Sequence, residues 1–262
     1  MSNIFDLSGK VAVVIGGASG IGEAVTLGAA RMGARTLCLD IRQDAAENVA
    51  SRAAAAGCQC EPGTIDIRES GAVERAFADI QKKHGSLDIV ICTPSINVRK
   101  KILDYQDDEL ARVLDLNLKG SFNVLRAAGR IMTAQRRGSI VLFSSIRSLV
   151  VEPGQSVYAA TKAGILQMAR GAACEFGPFG VRVNCVGPGV IETPLTAPIK
   201  NNPDWFNAYA ARNVFNRWGR PEEMVGPTLF LASDAASYVT GTIIYADGGW
   251  LAVDGRFTPP GM

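Results

Sequence analysis

The chain has 262 residues, and its 27 lysines and arginines nearly balance 25 aspartates and glutamates, giving a formal net charge of +2. Without a basic stripe or a block of like charges, this composition argues against nucleic acid or an anionic membrane as the main partner. A chain of this length can bury about three-quarters of its unfolded surface and needs neither a disulfide nor a metal ion to fold. We therefore expect a single domain over residues 1–262 that acts on a small molecule.

The N-terminal sequence lacks the apolar segment of a signal peptide, and no run approaches the ~18 apolar residues of a membrane span. Six cysteines are scattered without a CxxC pair, which favours buried thiols in a reducing compartment. These features predict a cytoplasmic protein that binds no membrane. The single histidine, His84, is predicted to lie at the polar end of a helix, so neither a metal site nor a histidine-dependent hydrolytic mechanism is expected.

Short apolar runs alternate with longer amphipathic runs along the chain. KVAVVIG, ARTLCLD and CQCEPGTID come first, each followed by a helix-length segment, and SLDIVIC, GSIVLFSS, GVRVNCVGP and GTIIYAD follow in the same manner. Apolar strands separated by helices indicate a parallel sheet covered on both faces. The sequence predicts an α/β fold, namely a single-domain, Rossmann-type, doubly wound parallel sheet of about seven strands with helices on both faces.

A glycine-rich turn, GGASGIG, joins the first predicted strand to the first helix. Glycines here let the backbone turn tightly and approach a pyrophosphate, which a helix N-terminus attracts. A tight turn without a ligand is the alternative, but the position in the first βα unit favours dinucleotide binding. The predicted cofactor-binding residues of this turn are Gly16, Ser19, Gly20, Ile21 and Gly22.

The second predicted strand ends at Asp40. A carboxylate at this point accepts hydrogen bonds from a ribose 2′-hydroxyl and repels a 2′-phosphate, so we expect NAD(H) rather than NADP(H). Arg42 lies close by in the sequence and could instead accommodate the phosphate. Asp40 could also be a polar strand end with no role in binding.

Tyr158 and Lys162 lie in a predicted helix, where residues four apart share a face. A phenol with a pKa of ~10 is a poor base at neutral pH, but a neighbouring ammonium favours the phenolate and is expected to lower that pKa. The pair therefore predicts a proton-transfer device. A YxxxK pattern alone is weak evidence, because on an exposed helix it is more often a solvated face.

Taken with Ser145, these features resemble the classical short-chain dehydrogenase/reductase family over nearly the whole chain. The resemblance implies four catalytic residues, namely Asn117, Ser145, Tyr158 and Lys162. Ser145 would hold the substrate oxygen, Tyr158 would be the acid and base, and Lys162 would bind the nicotinamide ribose. Asn117, on a long helix, would anchor a water in the proton relay. Beyond the residues already named, the resemblance implies cofactor contacts from Ile41, Asp66, Ile67, Thr93, Pro188, Gly189, Ile191 and Thr193.

Two positions depart from the family pattern. Ile15 replaces the threonine that usually precedes the first glycine, and the sequence CTPS at residues 92–95 replaces the usual NNAG. Because the family's threonine and first asparagine tie neighbouring strands by hydrogen bonds, Ile15 and Cys92 are expected to form an apolar contact instead. Pro94 fixes φ and lacks an N–H donor, which alters the wall beside the adenine ribose.

The candidate substrate-binding residues are Arg147, Asn97 and Gln155. Arg147 could hold a carboxylate, phosphate or sulfonate, since a guanidinium suits bidentate recognition. An ion pair with Glu152 or Asp104, or a position on the surface, is an equally good alternative. The sequence thus leaves the charge of the substrate open.

A substrate-binding lid is expected at about residues 193–217, where Trp205, Phe206 and Tyr209 have near-helical spacing. These aromatic residues could cover the site, or they could pack against the body without moving. The family resemblance further implies that a C-terminal tail at about residues 250–262 reaches a neighbouring subunit, and that the long helices containing Asn117 and Tyr158 build a homotetramer or homodimer.

The sequence as a whole predicts an NAD(H)-dependent oxidoreductase that interconverts a secondary alcohol and a ketone on a small polar molecule, which is anionic if Arg147 is an anchor. One alternative is a 3-oxoacyl-type reductase that uses NADP(H), against which Asp40 weighs. The other is a non-catalytic dinucleotide-sensing protein on the same fold. The complete set of four catalytic residues argues against that second alternative.

Overall fold

A parallel β-sheet forms the centre of the computed structural model, which describes residues 3–253. Within these residues the sheet has seven strands in the order 3-2-1-4-5-6-7, and all neighbours are parallel. The predicted doubly wound α/β fold is thereby confirmed. Since the strand order reverses between strands 1 and 4, a ligand crevice is expected at their carboxyl ends. The strands are β1 (Val11–Ile15), β2 (Arg35–Asp40), β3 (Cys60–Thr64), β4 (Ile89–Cys92), β5 (Gly138–Phe143), β6 (Val181–Pro188) and β7 (Ile243–Ala246).

Helices cover both faces of this sheet. Successive strand residues such as Val13 and Val14 pack into different hydrophobic cores, as the two-residue period of a strand requires. Helices α3, α5 and α6 supply one core, and α1 and α9 supply the other. The helices are α1 (Gly20–Arg31), α2 (Gln43–Ala55), α3 (Ser70–His84), α4 (Asp107–Leu114), α5 (Ser121–Gln135), α6 (Ser156–Phe176), α7 (Ala197–Lys200), α8 (Pro203–Ala210) and α9 (Val225–Ala232).

The long helix predicted around Asn117 is divided in the structure. A π-helical turn, Asp115–Gly120, separates α4 from α5 and contains the buried Asn117. Such single-turn widenings of a helix occur frequently at functional sites. The interruption therefore sets Asn117 apart from the regular helix on either side.

The two departures from the family pattern lie directly opposite each other. Ile15 of β1 is the register partner of Cys92 of β4, and both side chains are buried. Thr93, the residue after Cys92, connects the two strands by hydrogen bonds. Its backbone N–H and its hydroxyl both donate to the carbonyl oxygen of Ile15, at 3.1 and 2.9 Å. The apolar contact is thus accompanied by a hydrogen-bonded strand connection that the sequence pattern did not reveal.

His84 is the last residue of α3 and lies at the amino edge of the sheet. Its ring Nδ1 is 3.2 Å from the Arg35 guanidinium, and its Nε2 is 3.6 Å from the Glu61 carboxylate. Because Arg35 begins β2, His84 is remote from the carboxyl edge, where ligands bind in such sheets. Residues 3–253 contain no cluster of three or more metal-ligating His, Cys, Asp or Glu side chains. None of the helices in this range combines the length and hydropathy of a bilayer crossing.

Candidate active site

A cavity of about 650 Å³ lies at the carboxyl edge of the sheet, where the strand order reverses. It gathers most of the predicted cofactor residues into one place. Of the remaining ones, Gly189 lines a second cavity beside Tyr158, while Pro188 and Ile191 are buried at and just beyond the end of β6. The predicted residues that line the large cavity are Gly16, Ser19, Gly20, Ile21, Gly22, Asp40, Ile41, Asp66, Ile67, Thr93 and Thr193.

The glycine-rich turn fits a pyrophosphate. Gly16 has φ +70°, and a Cβ there would lie only 2.6 Å from Thr93 Oγ1. A Cβ at Gly22 would lie 2.0 Å from the Gly16 carbonyl oxygen, so no larger residue fits at either position. Ser19 is the N-cap of α1, yet its hydroxyl makes no capping hydrogen bond. The turn therefore leaves backbone N–H groups and a hydroxyl available to an anion at the helix N-terminus.

Asp40 connects this turn to the end of β2. Its carboxylate is buried and accepts hydrogen bonds from the backbone N–H groups of Ala18 and Arg42, at 3.2 and 3.1 Å. The Arg42 Nε lies 3.9 Å from the same carboxylate and its side chain is mostly exposed. Both residues line the large cavity. A carboxylate and a guanidinium thus lie side by side at the end of β2, the position at which NAD(H) would present a 2′-hydroxyl and NADP(H) a charged 2′-phosphate.

The predicted catalytic side chains gather where β5 ends. Lys162 Nζ lies 5.5 Å from the ring centre of Tyr158, one turn away on α6. Lys162 is only 2% exposed, and its ammonium donates to the carbonyl oxygen of Phe143 at 2.9 Å. In return, the Ser144 hydroxyl donates to the Lys162 carbonyl oxygen at 2.8 Å. Ser145 follows directly, so strand and helix fix the serine, tyrosine and lysine relative to one another.

Asn117 links the loop after β4 to helix α6. Its side-chain oxygen accepts from the N–H of Ile96 at 3.0 Å, and its amide donates to the carbonyl of Ile96 and to the Thr161 hydroxyl, at 2.9 and 3.1 Å. The side chain is therefore engaged with protein groups that hold the site together. Its expected role in anchoring a relay water stays a prediction.

The pKa of Tyr158 is raised, not lowered as expected from its neighbour Lys162. Removal of the phenol from water is the largest cause, and it outweighs the opposing effects of the Ser145 and Ser95 hydroxyls and of more distant cations. Burial also lowers the pKa of Lys162 to about 8. The expectation failed because a sequence pattern reveals the spacing of two side chains but not how strongly each is desolvated.

A second cavity of about 270 Å³ adjoins Ser145 and Tyr158. All three predicted substrate-binding residues, Arg147, Asn97 and Gln155, line it. Arg99 and Tyr209, which the sequence did not single out as binding residues, line it as well. The acid/base candidate and the candidate recognition residues therefore face one small space.

Arg147 forms an ion pair with Glu152, which is one of the two alternatives open from the sequence. The guanidinium is 6% exposed and lies 5.5 Å from the ring centre of Trp250. Glu152 also accepts hydrogen bonds from Arg99, Gln155 and the Tyr209 hydroxyl. Sequence reasoning treated Glu152 only as a possible partner of Arg147. The available signal was its position on the loop between Ser145 and Tyr158.

The segment predicted as a lid, residues 193–217, contains α7 and α8, and its inward side chains form a small hydrophobic cluster with Val190 and Trp218. The Phe206 ring stacks on the ring of buried Trp218, with the ring centres 5.3 Å apart, and the Trp218 indole N–H donates to the Phe206 carbonyl oxygen at 2.9 Å. Trp205 is 47% exposed, so it does not share this inward face. Tyr209 belongs to α8 and also lines the second cavity, beside Ser145 and Tyr158. Residues 254–262, the greater part of the C-terminal tail expected at about 250–262 to reach another subunit, lie outside the described residues.

Comparison with known proteins agrees with this arrangement. The sequence model of a family described as enoyl-(acyl carrier protein) reductase matches residues 16–251. The chain is 35% identical to the 3-oxoacyl-[acyl-carrier-protein] reductase FabG of Thermotoga maritima, over 93% of this chain and 98% of that protein. It is 30% identical to gluconate 5-dehydrogenase of Gluconobacter oxydans, over 94% of this chain and 96% of that protein.

Among solved structures, a candidate NAD(P)-dependent gluconate 5-dehydrogenase from Beutenbergia cavernae, with bound NADP, superposes with a TM-score of 0.92. It is 33% identical and the match covers 96% of this chain and 100% of that one. The fold, the dinucleotide crevice and the extent of these similarities lead to one conclusion. The chain belongs to the short-chain dehydrogenase/reductase family of oxidoreductases, which bind a nicotinamide dinucleotide.

Proposed function

We propose that the protein is an NAD(H)-dependent oxidoreductase that interconverts a secondary alcohol and a ketone on a small polar hydroxy acid. The observation that carries the proposal is the small cavity in which Ser145 and Tyr158 face two guanidinium groups, those of Arg99 and Arg147. A cavity of about 270 Å³ suits a small molecule. Its arginines favour a carboxylate, because a planar guanidinium binds a carboxylate with two parallel hydrogen bonds.

In this proposal a bound nicotinamide dinucleotide supplies the hydride acceptor or donor. Ser145 Oγ donates a hydrogen bond to the substrate oxygen and orients it. Tyr158 Oη takes the hydroxyl proton in the oxidative direction and returns it in the reductive direction. Lys162, with its pKa of about 8, keeps a positive charge at neutral pH. A cation 5.5 Å from the ring centre of Tyr158 favours the phenolate form, which burial disfavours.

The preference for NAD(H) rests on Asp40, whose carboxylate lines the large cavity at the end of β2. A 2′-phosphate would meet this negative charge, whereas a 2′-hydroxyl could donate to it. The guanidinium of Arg42, beside Asp40, would instead favour the 2′-phosphate of NADP(H). The relative from Beutenbergia cavernae was solved with NADP. We therefore make cofactor choice the first subject of experiment in the Discussion.

The proposed activity is tested by measuring initial rates of NADH formation with a panel of secondary alcohols in matched anionic and neutral pairs. The Tyr158→Phe protein serves as the blank. We expect the anionic members to be oxidised faster. A uniform preference for neutral alcohols would remove the hydroxy acid from the proposal, and no turnover of any alcohol with either dinucleotide would refute the enzymatic function itself.

A 3-oxoacyl-type reductase using NADP(H) is the second candidate, favoured by the 35% identity to FabG. Reduction of a 3-oxoacyl thioester with NADPH, faster than any alcohol oxidation, would establish this candidate instead. A dinucleotide sensor without catalysis is disfavoured, since it has no use for a serine and a tyrosine facing a substrate cavity.

We also propose a homotetramer or homodimer in the cytoplasm. Leu110, Leu114 and Phe122 are partly exposed on α4 and α5, the helices that flank Asn117. The family resemblance implies that the long helix region around Asn117 builds the assembly. The six cysteines all lie within the described residues and are all free thiols, as is usual in a reducing compartment. Light scattering that gave a monomer would refute the assembly.

A further inference from the structure

We propose that Glu152 determines substrate specificity by setting the net charge of the substrate cavity at one positive charge. The enzyme then selects substrates with one negative charge over substrates with two or none. This inference rests on the proposed function, because it concerns recognition in the same cavity.

The geometry places one carboxylate between two cations that come from separate parts of the chain. Arg99 belongs to the loop after β4, and Arg147 to the turn after β5. Arg99 donates to Oε1 of Glu152 and Arg147 donates to Oε2, so the carboxylate bridges the two guanidiniums. Both arginines line the cavity, and among the described lining residues they alone are charged. Two positive charges and one negative charge leave a net charge of one.

The carboxylate of Glu152 keeps its negative charge at neutral pH. Desolvation raises the pKa of Glu152, but hydrogen bonds from Tyr209 and Arg99 and the charge of Arg147 outweigh it, so that the pKa is lowered overall. The carboxylate is therefore ionised and offsets one of the two cations.

The two arginines are not equally available to a substrate. Arg147 is 6% exposed between Glu152 and Trp250, whereas the Arg99 side chain retains 29% exposure. Arg99 also lies 5.7 Å from the ring centre of Trp205 and 5.9 Å from that of Tyr209, both on α8. We therefore assign substrate contact to Arg99, and we assign Arg147 and Glu152 the positioning of Arg99 and the control of its charge.

A neutral polar group completes the recognition surface. Asn97 donates to Gln155 at 2.8 Å, while its own side-chain oxygen is buried and has no hydrogen-bond partner within the described residues. Such an acceptor is costly to leave unpaired, and a substrate hydroxyl can satisfy it. The cavity therefore fits a hydroxy monocarboxylate, with its carboxylate on Arg99 and a hydroxyl on Asn97.

The test measures kcat/KM for a neutral polyol, a hydroxy monocarboxylate and a hydroxy dicarboxylate of equal carbon number. The wild type should prefer the monocarboxylate. Glu152→Gln keeps the shape of the side chain and raises the cavity charge to two, so the ratio of dicarboxylate to monocarboxylate should rise on the order of tenfold. Arg99→Gln lowers the charge to zero and should shift preference toward the polyol.

The double variant Glu152→Gln with Arg99→Gln restores a single positive charge through Arg147. Since the contact residue Arg99 is missing, Arg147 can act only through its charge, so the preference for the monocarboxylate over the polyol should rise above that of Arg99→Gln without reaching the wild-type value. Glu61→Gln is the matched control, because Glu61 is also an ion-paired glutamate but lies at the amino edge of the sheet. It should leave all ratios unchanged. Equal losses for all three substrates, or an unchanged ratio in a folded Glu152→Gln protein, would overturn the inference.

Two further measurements keep the outcome interpretable. Thermal unfolding establishes that each variant is folded, and if Glu152→Gln is not, Arg99→Gln and the double variant still test the charge count. If the wild type oxidises none of the alcohols, the proposed function fails. The charge inference is then tested separately by calorimetric titration of the three compounds in the presence of NADH, where the same order of affinities and the same reversal are expected.

Discussion

Replacing Asp40 with asparagine tests whether this residue selects the cofactor or only holds the glycine-rich turn. The change preserves the shape of the side chain and removes its charge. For a phosphate about 6 Å from a carboxylate, unit charges interact by about 3 kcal/mol at an effective dielectric constant of 20. Screening by salt at a partly open site reduces this to about 1.4 kcal/mol. We therefore expect the NADP⁺ to NAD⁺ ratio of kcat/KM to rise about tenfold.

The same substitution carries a structural cost that can be measured separately. The Asp40 carboxylate accepts one backbone N–H on each oxygen, from Arg42 and from Ala18. Asparagine has one acceptor oxygen, so one of these bonds is lost, at about 1.5 kcal/mol. For a domain of this size the melting temperature should fall by about 3–6 °C.

The combination of results decides between the interpretations. A lower melting temperature with an unchanged cofactor ratio would refute the selective role of Asp40 and leave it a structural residue. Arg42→Ala is the companion variant. If the wild type already prefers NADP⁺ and this variant loses that preference, the phosphate is recognised by Arg42, and the proposal of NAD(H) is wrong.

Three other predictions concern the catalytic groups. Tyr158→Phe should lower turnover by about 10²–10⁴-fold, while a fluorescence titration should show that NADH binding is retained. In the wild type, the oxidation rate should rise with pH as the phenol, whose pKa is raised, loses its proton. A pH-independent rate would contradict this. Arg147→Met should destabilise the fold by about 1–2 kcal/mol in denaturant unfolding, because it removes one buried cation from Glu152 while Arg99 stays paired with that carboxylate. An unchanged midpoint would show that the pair contributes little. The lowered pKa of Lys162, about 8, means that the folded state binds fewer protons than the unfolded state above that pH. Stability should therefore rise by about 3 kcal/mol from pH 8 to 10.5 relative to Lys162→Met, and parallel curves for the two proteins would refute this.

The sequence was sufficient to predict the sheet and the crevice at its carboxyl edge. Buried parallel strands are apolar along their whole length, so their number could be read directly, and the turn at Gly16–Gly22 is a local feature in which glycine is required by its neighbours. The proximity of Ser145, Tyr158 and Lys162 could be predicted because two adjacent elements carry them. In each case the information lies within one short segment.

The remaining features depend on contacts between distant segments or on the degree of burial. Glu152 receives hydrogen bonds from the loop after β4, the turn after β5 and helix α8, and no periodicity links these segments. The direction of the Tyr158 pKa shift depends on desolvation, which neighbours in the sequence do not determine. The π-helical turn around Asn117 interrupts an amphipathic pattern that is typical of one continuous helix.

The paired hydrogen bonds between β5 and α6 have a consequence for how this enzyme could be altered. Lys162 donates to Phe143, and Ser144 donates to Lys162, so the helix cannot slide along the strand without breaking two buried bonds. Arg99 and Tyr209, which line the proposed substrate cavity, lie on other segments. A protein engineer could therefore change helix α8, together with Arg99 alone in the loop after β4, to reach new substrates while the proton-transfer geometry stays fixed.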